Sequence, residues 1–181
     1  MDRSDHPLDD LRRELRDRVG PDFQSAAEDD EGAARHIRLA RRTLADVAFE
    51  LLGRGDTVQL NVGNERFVGV VAYARGTLAT LETSAGDECH VNLEGPVTLR
   101  VTKRSEGGGR SQPEFGPDSF EARLRELQHG EGRVVMSMPV IGESIACRIT
   151  AVAADHVMVT DLTGQEWFVP QGQIGTVTRR K

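Results

Sequence analysis

The chain has 181 residues, of which 38% are hydrophobic and 29% are charged, and its formal net charge is -6. This composition allows one ordinary domain or two small ones, and the acidic balance disfavours duplex nucleic acid, which is held largely by Lys and Arg. Two cysteines do not make a disulfide framework, and no apolar run approaches the roughly 20 residues of a membrane-spanning helix.

The N-terminal stretch, residues 1–25, is predicted to be an acidic segment with one short helix. Its first ten residues, MDRSDHPLDD, lack the positive start and the apolar stretch of a secretion signal, so we expect a cytoplasmic protein. Apolar residues recur at helical spacing from Leu8 to Val19. This spacing predicts an amphipathic helix over residues 7–19.

A second helical stretch is predicted from about residue 26 to residue 52, where Gly53 is a stop signal. From Thr57 the period of the apolar residues changes from 3.6 to 2, and five short strands separated by turns follow up to Val101. Residues 26–103 are therefore predicted to form a helix followed by a small β-barrel. The residues of the first strand expected to face inward are Val58, Leu60 and Val62.

The same pattern returns after a spacer. Residues 104–117 (RSEGGGRSQPEFGP) have Gly, Pro and Ser without a period and are predicted to be a linker. Residues 118–181 again read as a helix followed by alternating strands. We therefore predict an α+β, mainly β fold of two repeated units, each a helix and a five-stranded small β-barrel, plus the N-terminal helix. At one constant spacing along the chain, the inward positions Val134, Met136 and Met138 match Val58, Leu60 and Val62.

The first three strands, VQLNVGNERFVGVVAYARGTLATLET, resemble the first motif of the Sm-like family of SH3-like small barrels. Phe67, Gly69 and Leu81 lie where that motif has its apolar and glycine positions. The sequence WFVPQGQIGTV resembles the closing strands of the bacterial RNA chaperone of this family. The resemblance implies the barrel fold. The Arg-Gly and Lys-His pairs that contact RNA have no counterpart, since Pro170 and Gln171 occupy the latter stretch, so no RNA-contacting residue is carried over.

Three arginines are the candidate basic element for RNA. Arg35, Arg38 and Arg42 lie at i, i+3 and i+7 on one predicted helical face, as expected of a strip that contacts phosphates. The other interpretation is a solvated face. Glu31 lies four residues before Arg35 and Asp46 four residues after Arg42, so both arginines can pair locally.

Two groups of residues invite metal or catalytic interpretations. Cys89 and His90 are adjacent on a strand and point to opposite faces, while Cys147 falls on the inward set, so we predict core thiols and no metal site. Asp155 and His156 are predicted to lie in a turn, with no nucleophile placed beside them. The sequence has no phosphate-binding glycine loop, zinc spacing or nucleophile elbow, and we predict no enzyme activity, cofactor or small-molecule substrate.

Apolar residues on the outward strand faces point to binding. Val135, Met158 and Phe168 are the predicted partner-binding residues, with Phe168 as an aromatic anchor. The alternative is that Phe168 packs under its own helix or on the first barrel. The sequence therefore predicts a non-enzymatic binding or scaffold protein that contacts protein partners or self-associates, without a membrane. A divergent Sm-like RNA-binding protein is the alternative.

Overall fold

The computed structural model describes residue 36, residues 39–130 and residues 132–179. Contacts between residues divide the chain into residues 1–42 and residues 43–181. The predicted N-terminal amphipathic helix lies outside the described residues. All helices and strands named below belong to the second of these two parts.

Helix α1 spans Leu44–Arg54 and begins with a capping box. The Asp46 carboxylate accepts a hydrogen bond from Thr43 N at 2.8 Å, and Thr43 Oγ1 accepts one from Asp46 N at 3.2 Å. These bonds satisfy backbone donors that the first turn of a helix leaves without partners, so a helix begins here. The prediction of a continuous helix over residues 26–52 is therefore wrong at Thr43. The helix ends at Gly55, whose φ of 69° suits glycine.

Ten strands and a second helix follow α1. Within the described part of the chain, no helix is long and apolar enough to cross a membrane. The bounds are β1 Thr57–Val62, β2 Glu65–Arg75, β3 Leu78–Thr83, β4 Glu88–Asn92, β5 Thr98–Lys103, α2 Phe120–His129, β6 Val134–Met138, β7 Glu143–Val152, β8 His156–Asp161, β9 Glu166–Pro170, a 3-10 turn at Gln171–Gln173, and β10 Thr176–Arg179.

All ten strands belong to one open antiparallel sheet, in the order β5-β1-β2-β3-β4-β10-β6-β7-β8-β9. The prediction of two repeated units, each a helix with its own closed five-stranded barrel, is therefore wrong. The reason lies in the last strand. β10 pairs with β6 on one side and with β4 on the other, so it joins the strands into one sheet instead of closing a barrel. β5 and β9 are left as the two edges.

The two halves of this sheet, β1–β5 and β6–β10, nevertheless follow the same strand order. In the first hairpin of each half, Val58 lies opposite Gly69 and Val134 lies opposite Cys147. The pairing with the next strand then skips one residue in both β2 and β7. Each residue of α1 or β1 therefore corresponds to a residue in the region of α2 or β6, which lies as far along the chain from it as Val134 lies from Val58. Positions in β2–β5 correspond at the longer spacing from Gly69 to Cys147, because the turn between β6 and β7 is longer than that between β1 and β2.

Each half has its own buried apolar cluster, but the clusters do not follow the halves strictly. Tyr73 and Leu78 come from β2 and β3, yet they pack in the cluster of the second half. The two halves therefore share apolar contacts. The prediction of the inward residues of β1 and β6 is confirmed, because all six are buried: Val58, Leu60, Val62, Val134, Met136 and Met138.

Residues 104–117 connect β5 to α2 and contact the first half at several points. Arg110 N donates a hydrogen bond to Leu52 O at 2.9 Å, at the end of α1. Tyr73 Oη donates one to the Pro117 carbonyl at 2.6 Å. The glycine-rich and proline-rich sequence is thus held against the first half by hydrogen bonds at both of these places.

Candidate interaction surface

β9 forms one edge of the sheet and carries an exposed aromatic side chain. Among the described strands β9 pairs with β8 alone, so one row of its backbone N–H and C=O groups faces no strand there. Phe168 on β9 is 63% exposed. Met158 on β8 lies directly opposite it and is half-buried. The centroid of the His156 ring is 5.9 Å from that of the Phe168 ring. We call Met158, His156 and Phe168 the β9 patch.

Val135, the third residue predicted to bind a partner, lies elsewhere in the sheet. It is half-buried on β6, opposite Ala146 of β7 and Thr178 of β10. Since neighbouring strands are about 4.8 Å apart, β6 and β9, three strands apart, are separated by roughly 14 Å along the sheet. The structure brings Met158 and Phe168 together and leaves Val135 apart from them.

The Asp155–His156 pair lies at the start of β8, and its histidine belongs to the β9 patch. His156 Nδ1 is 2.6 Å from Asp155 Oδ1, and this hydrogen bond lowers the pKa of the Asp155 carboxyl. The hydroxyl of Ser144, on β7, donates to Glu65 Oε1 at 2.7 Å. The arrangement thus does not join Ser144 to this pair. The absence of enzyme activity stays a prediction.

β5 forms the other edge, and its chemistry differs from that of β9. Leu99 is partly buried against the cluster of the first half. Val101 is 42% exposed although it lies opposite the fully buried Val58. Arg100 and Lys103 are both exposed. This edge therefore combines an incompletely covered apolar row with positive charge.

The junction of β4 with β10 shows how this sheet covers an edge. Val177 lies opposite His90, and the two are 0% and 1% exposed. His90 Nδ1 is 3.0 Å from Thr80 Oγ1. Burial, with smaller effects of the positive charges of Arg123 and Arg179, lowers the pKa of His90 to about 4. His90 is therefore an uncharged core residue at neutral pH.

The two cysteines are core residues, as predicted. Cys89 and Cys147 are both free thiols and 0% exposed. Burial raises the pKa of Cys89 to about 12 and that of Cys147 to about 11, so both thiols are protonated at pH 7. No cluster of three or more metal-ligating side chains occurs among the residues that the structure describes.

The predicted arginine strip falls mostly outside the described residues. Arg35 and Arg38 are not described, and Arg42 is exposed at the end of residues 1–42. RNA binding through this strip therefore stays a prediction.

The sequence patterns do not predict that β5 is an edge strand, although the strand contains residues typical of one. The strand reads TLRVTK, in which Leu99 and Val101 alternate with polar residues that include Arg100, and Lys103 ends the strand. Charged side chains, Lys above all, are typical of natural edge strands. Alternation alone shows which side chains share a face, but it does not show which strands are neighbours.

Comparison of the chain with protein-family models and with curated proteins yields no match. The resemblance to the Sm-like family therefore stays a prediction.

Proposed function

We propose that the protein is a non-enzymatic binding protein of the cytoplasm that associates with copies of itself, β9 of one copy pairing with β5 of the next. The observation that carries this proposal is the β4–β10 junction. Within one chain, this junction pairs β4 of the first half with β10 of the second half. In the second half, β9 has the position that β4 has in the first half. In the first half, β5 has the position that β10 has in the second half. The internal junction therefore supplies a register for the contact between copies.

The register follows first from β5 and β10. Leu99 of β5 lies opposite Leu60 of β1, and Val177 of β10 lies opposite Met136 of β6. Leu60 and Met136 hold corresponding positions in the first strands of the two halves. Leu99 therefore corresponds to Val177, the residue that covers β4 in the internal junction.

The register follows equally from β4 and β9. His90 lies opposite Thr80 of β3, and Phe168 lies opposite Met158 of β8, so Phe168 holds the place of His90. His90 is 1% exposed because β10 adjoins it, whereas Phe168 is 63% exposed. Pairing of β9 with β5 places Phe168 opposite Leu99 of the next copy and would bury it as His90 is buried.

The charges on the two edges support the same pairing. With Phe168 opposite Leu99, Glu166 lies opposite Val101, which has Arg100 beside it and Lys103 two residues further on. Arg100 then lies opposite Trp167, and a guanidinium over an indole ring is a favourable contact. An acidic end of β9 thus meets the basic end of β5, and antiparallel pairing satisfies the free backbone groups of both strands.

Sedimentation velocity over a range of concentrations tests the proposal. We expect the unchanged chain to associate, and Phe168→Lys to weaken association at least tenfold because it puts a charge at the centre of the contact. Phe115→Lys is the matched control, since Phe115 is 83% exposed in the 104–117 connection and lies on neither edge. A chain that stays monomeric at high concentration, or equal effects of both substitutions, would contradict the proposal.

Disulfide trapping tests the register. Chains with Val101→Cys and Glu166→Cys are mixed and oxidised, and they are expected to form a linked pair, because directly opposed strand residues lie within disulfide range. Thr98→Cys mixed with Glu166→Cys is the control, because Thr98 is three residues, about 10 Å, further along β5. The native Cys89 and Cys147 are buried and do not compete. Equal yields in the two mixtures would rule out this register.

A further inference from the structure

A cleft of about 670 Å³ lies between the end of α2 and the surface of β7 and β8. Gln128 of α2 lines one side of it and donates a hydrogen bond to the Thr150 carbonyl of β7 at 3.2 Å. Arg133, Arg148 and Asp161 also line the cleft. It belongs entirely to the second half of the sheet and shares no residue with the proposed pairing of β9 and β5.

The corresponding place in the first half is occupied by the chain itself. There Gly109 N donates to Gly53 O at 3.0 Å, and Arg110 N donates to Leu52 O at 2.9 Å. The Arg110 side chain forms an ion pair with Glu82 of β3 at 2.7 Å. An extended segment therefore runs along the end of α1, with backbone bonds to the helix carbonyls and one side-chain ion pair to the sheet.

The fit of that segment is close. A Cβ atom added to Gly109 would lie 1.9 Å from Leu52 O and 2.4 Å from Gly55 N. Only a segment without a side chain at this point can approach the helix end so nearly. The last carbonyl groups of a helix have no partner within the helix. In the first half, the main chain of the 109–110 segment supplies hydrogen bonds to them, so this site shows how a peptide can bind at a helix end.

The cleft of the second half lies at the corresponding place but carries the opposite charge. Gln128 corresponds to Leu52, so the end of α2 holds the place of the end of α1. Thr160 stands in the place of Glu82, and its partner across the strands is Arg148. Where the first half presents a carboxylate to Arg110, the second half therefore presents a guanidinium.

The positive charge of the cleft is not neutralised among the described residues. Arg133 and Arg148 are both exposed and neither forms an ion pair within the described part of the chain. Asp161, the carboxylate of the cleft, already accepts hydrogen bonds from Thr163 Oγ1 at 2.7 Å and from Trp167 Nε1 at 3.0 Å. The cleft therefore keeps a net positive charge, two guanidiniums against one carboxylate.

We propose that this cleft binds an extended acidic peptide of a partner protein, with backbone N–H groups on the carbonyls at the end of α2 and a carboxylate on Arg148. Residues 109–110 show the backbone geometry in the first half, and the reversed charge specifies an acidic side chain in place of Arg110. The charge-assisted contact with Arg148 favours a carboxylate over other side chains.

The test uses two peptides that differ in one residue. GGGRSQP is the sequence of residues 107–113, and GGGESQP replaces its arginine by glutamate. Each is titrated into the full chain and followed by the fluorescence of Trp167, the single tryptophan, which hydrogen-bonds to Asp161 of the cleft. We expect the glutamate peptide to bind at least tenfold more tightly, and the difference to shrink at high salt.

A charge swap makes the test specific to the cleft. Arg148→Glu is expected to weaken the glutamate peptide at least tenfold and to favour the arginine peptide. Arg66→Glu is the matched control, because Arg66 is an exposed arginine on β2 of the first half, and it is expected to change neither affinity. Equal binding of the two peptides, or equal effects of the two substitutions, would overturn the proposal. Displacement of the glutamate peptide by inorganic phosphate at equal concentration would also overturn it, because it would indicate a simple anion site.

Discussion

His90 is a titratable side chain enclosed between three strands. It faces Thr80 on β3 and Val177 on β10, and it is 1% exposed. An imidazole in such a place is held neutral, since burial disfavours the charged form and the charges of Arg123 and Arg179 add to that effect. The junction between the two halves thus contains a group whose protonation is coupled to folding.

Acidification is expected to destabilise the protein through His90. The pKa of this residue is about 4 when folded and 6.5 as the ordinary value, so below pH 6.5 the unfolded chain binds a proton that the folded chain does not. The free energy of unfolding should therefore fall as the pH drops from 6.5 to 4, by up to about 3 kcal/mol, with no contribution above pH 6.5. Urea unfolding at several pH values measures it.

His90→Asn should remove this part of the pH dependence, although it lowers the stability at pH 7. The exposed His129 gives the control, and His129→Asn should leave the slope between pH 4 and pH 6.5 unchanged. A slope that persists in the His90→Asn variant would show that other groups cause it.

At the scale of elements, the segment around Gly109 has a sequence typical of a flexible linker, yet it packs against the first half of the sheet and its helix α1. The composition of residues 104–117 carries no periodic signal, and the segment is recognised only from its bonds to the end of α1. Its order depends on a close approach of two backbones, which local composition does not encode.

Gly109→Ala should displace this segment, because the new Cβ would overlap Leu52 O. We expect a loss of about 2 kcal/mol in the free energy of unfolding and faster tryptic cleavage after Arg110. Gly107→Ala is the matched control, since a Cβ at Gly107 has nothing within 4 Å. Similar cleavage rates for the two variants would mean that the segment is not held in the way described.

The elements themselves were largely readable from the sequence, because alternation is a local property. The inward residues of β1 and β6 are confirmed as buried. The start of α1 was misplaced, although Thr43 followed three residues later by Asp46 is a capping signal. In the candidate site, Phe168 was found as an outward aromatic. The sequence also predicts Met158 as a partner-binding residue, but it does not predict that Met158 lies opposite Phe168, because register depends on pairing between strands.

At the scale of the whole molecule, the order of the strands could not be read from the sequence. The decisive contact is the pairing of β10 with β4, between a segment near the middle of the chain and one near its end, and alternation gives no information on such pairing. The cleft is not predicted for the same reason, because Arg133 lies in the connection before β6 and Arg148 lies on β7, and only the folded sheet brings them together.

Glu65 ties the two halves together across this sheet. Its carboxylate accepts hydrogen bonds from Ser144 Oγ at 2.7 Å and from Ser137 Oγ. Ser137 is 2% exposed and loses its acceptor if the carboxylate is removed. The contact joins the start of β2 to β6 and β7, which lie on the far side of β4 and β10 in the strand order.

Glu65→Ala should therefore lower the free energy of unfolding by about 2 kcal/mol, since hydrogen bonds to charged groups are worth about 1.5–3 kcal/mol and the buried Ser137 hydroxyl loses its charged acceptor. Chemical denaturation followed by Trp167 fluorescence measures the loss. Glu143→Ala, at an exposed carboxylate of β7, is expected to have little effect. Equal losses would show that Glu65 contributes no more than a surface charge.

The two ends of the sheet are unlike, and this has a consequence for assembly size. A contact between different surfaces uses one end of each molecule and leaves the other end available, so addition of a further copy never consumes the last site in an open chain. Growth stops only if the successive rotations between neighbouring copies bring the last copy into contact with the first. If copies associate as proposed, the rotation between neighbouring copies, rather than the strength of any single contact, decides between a closed ring of fixed number and an unlimited filament.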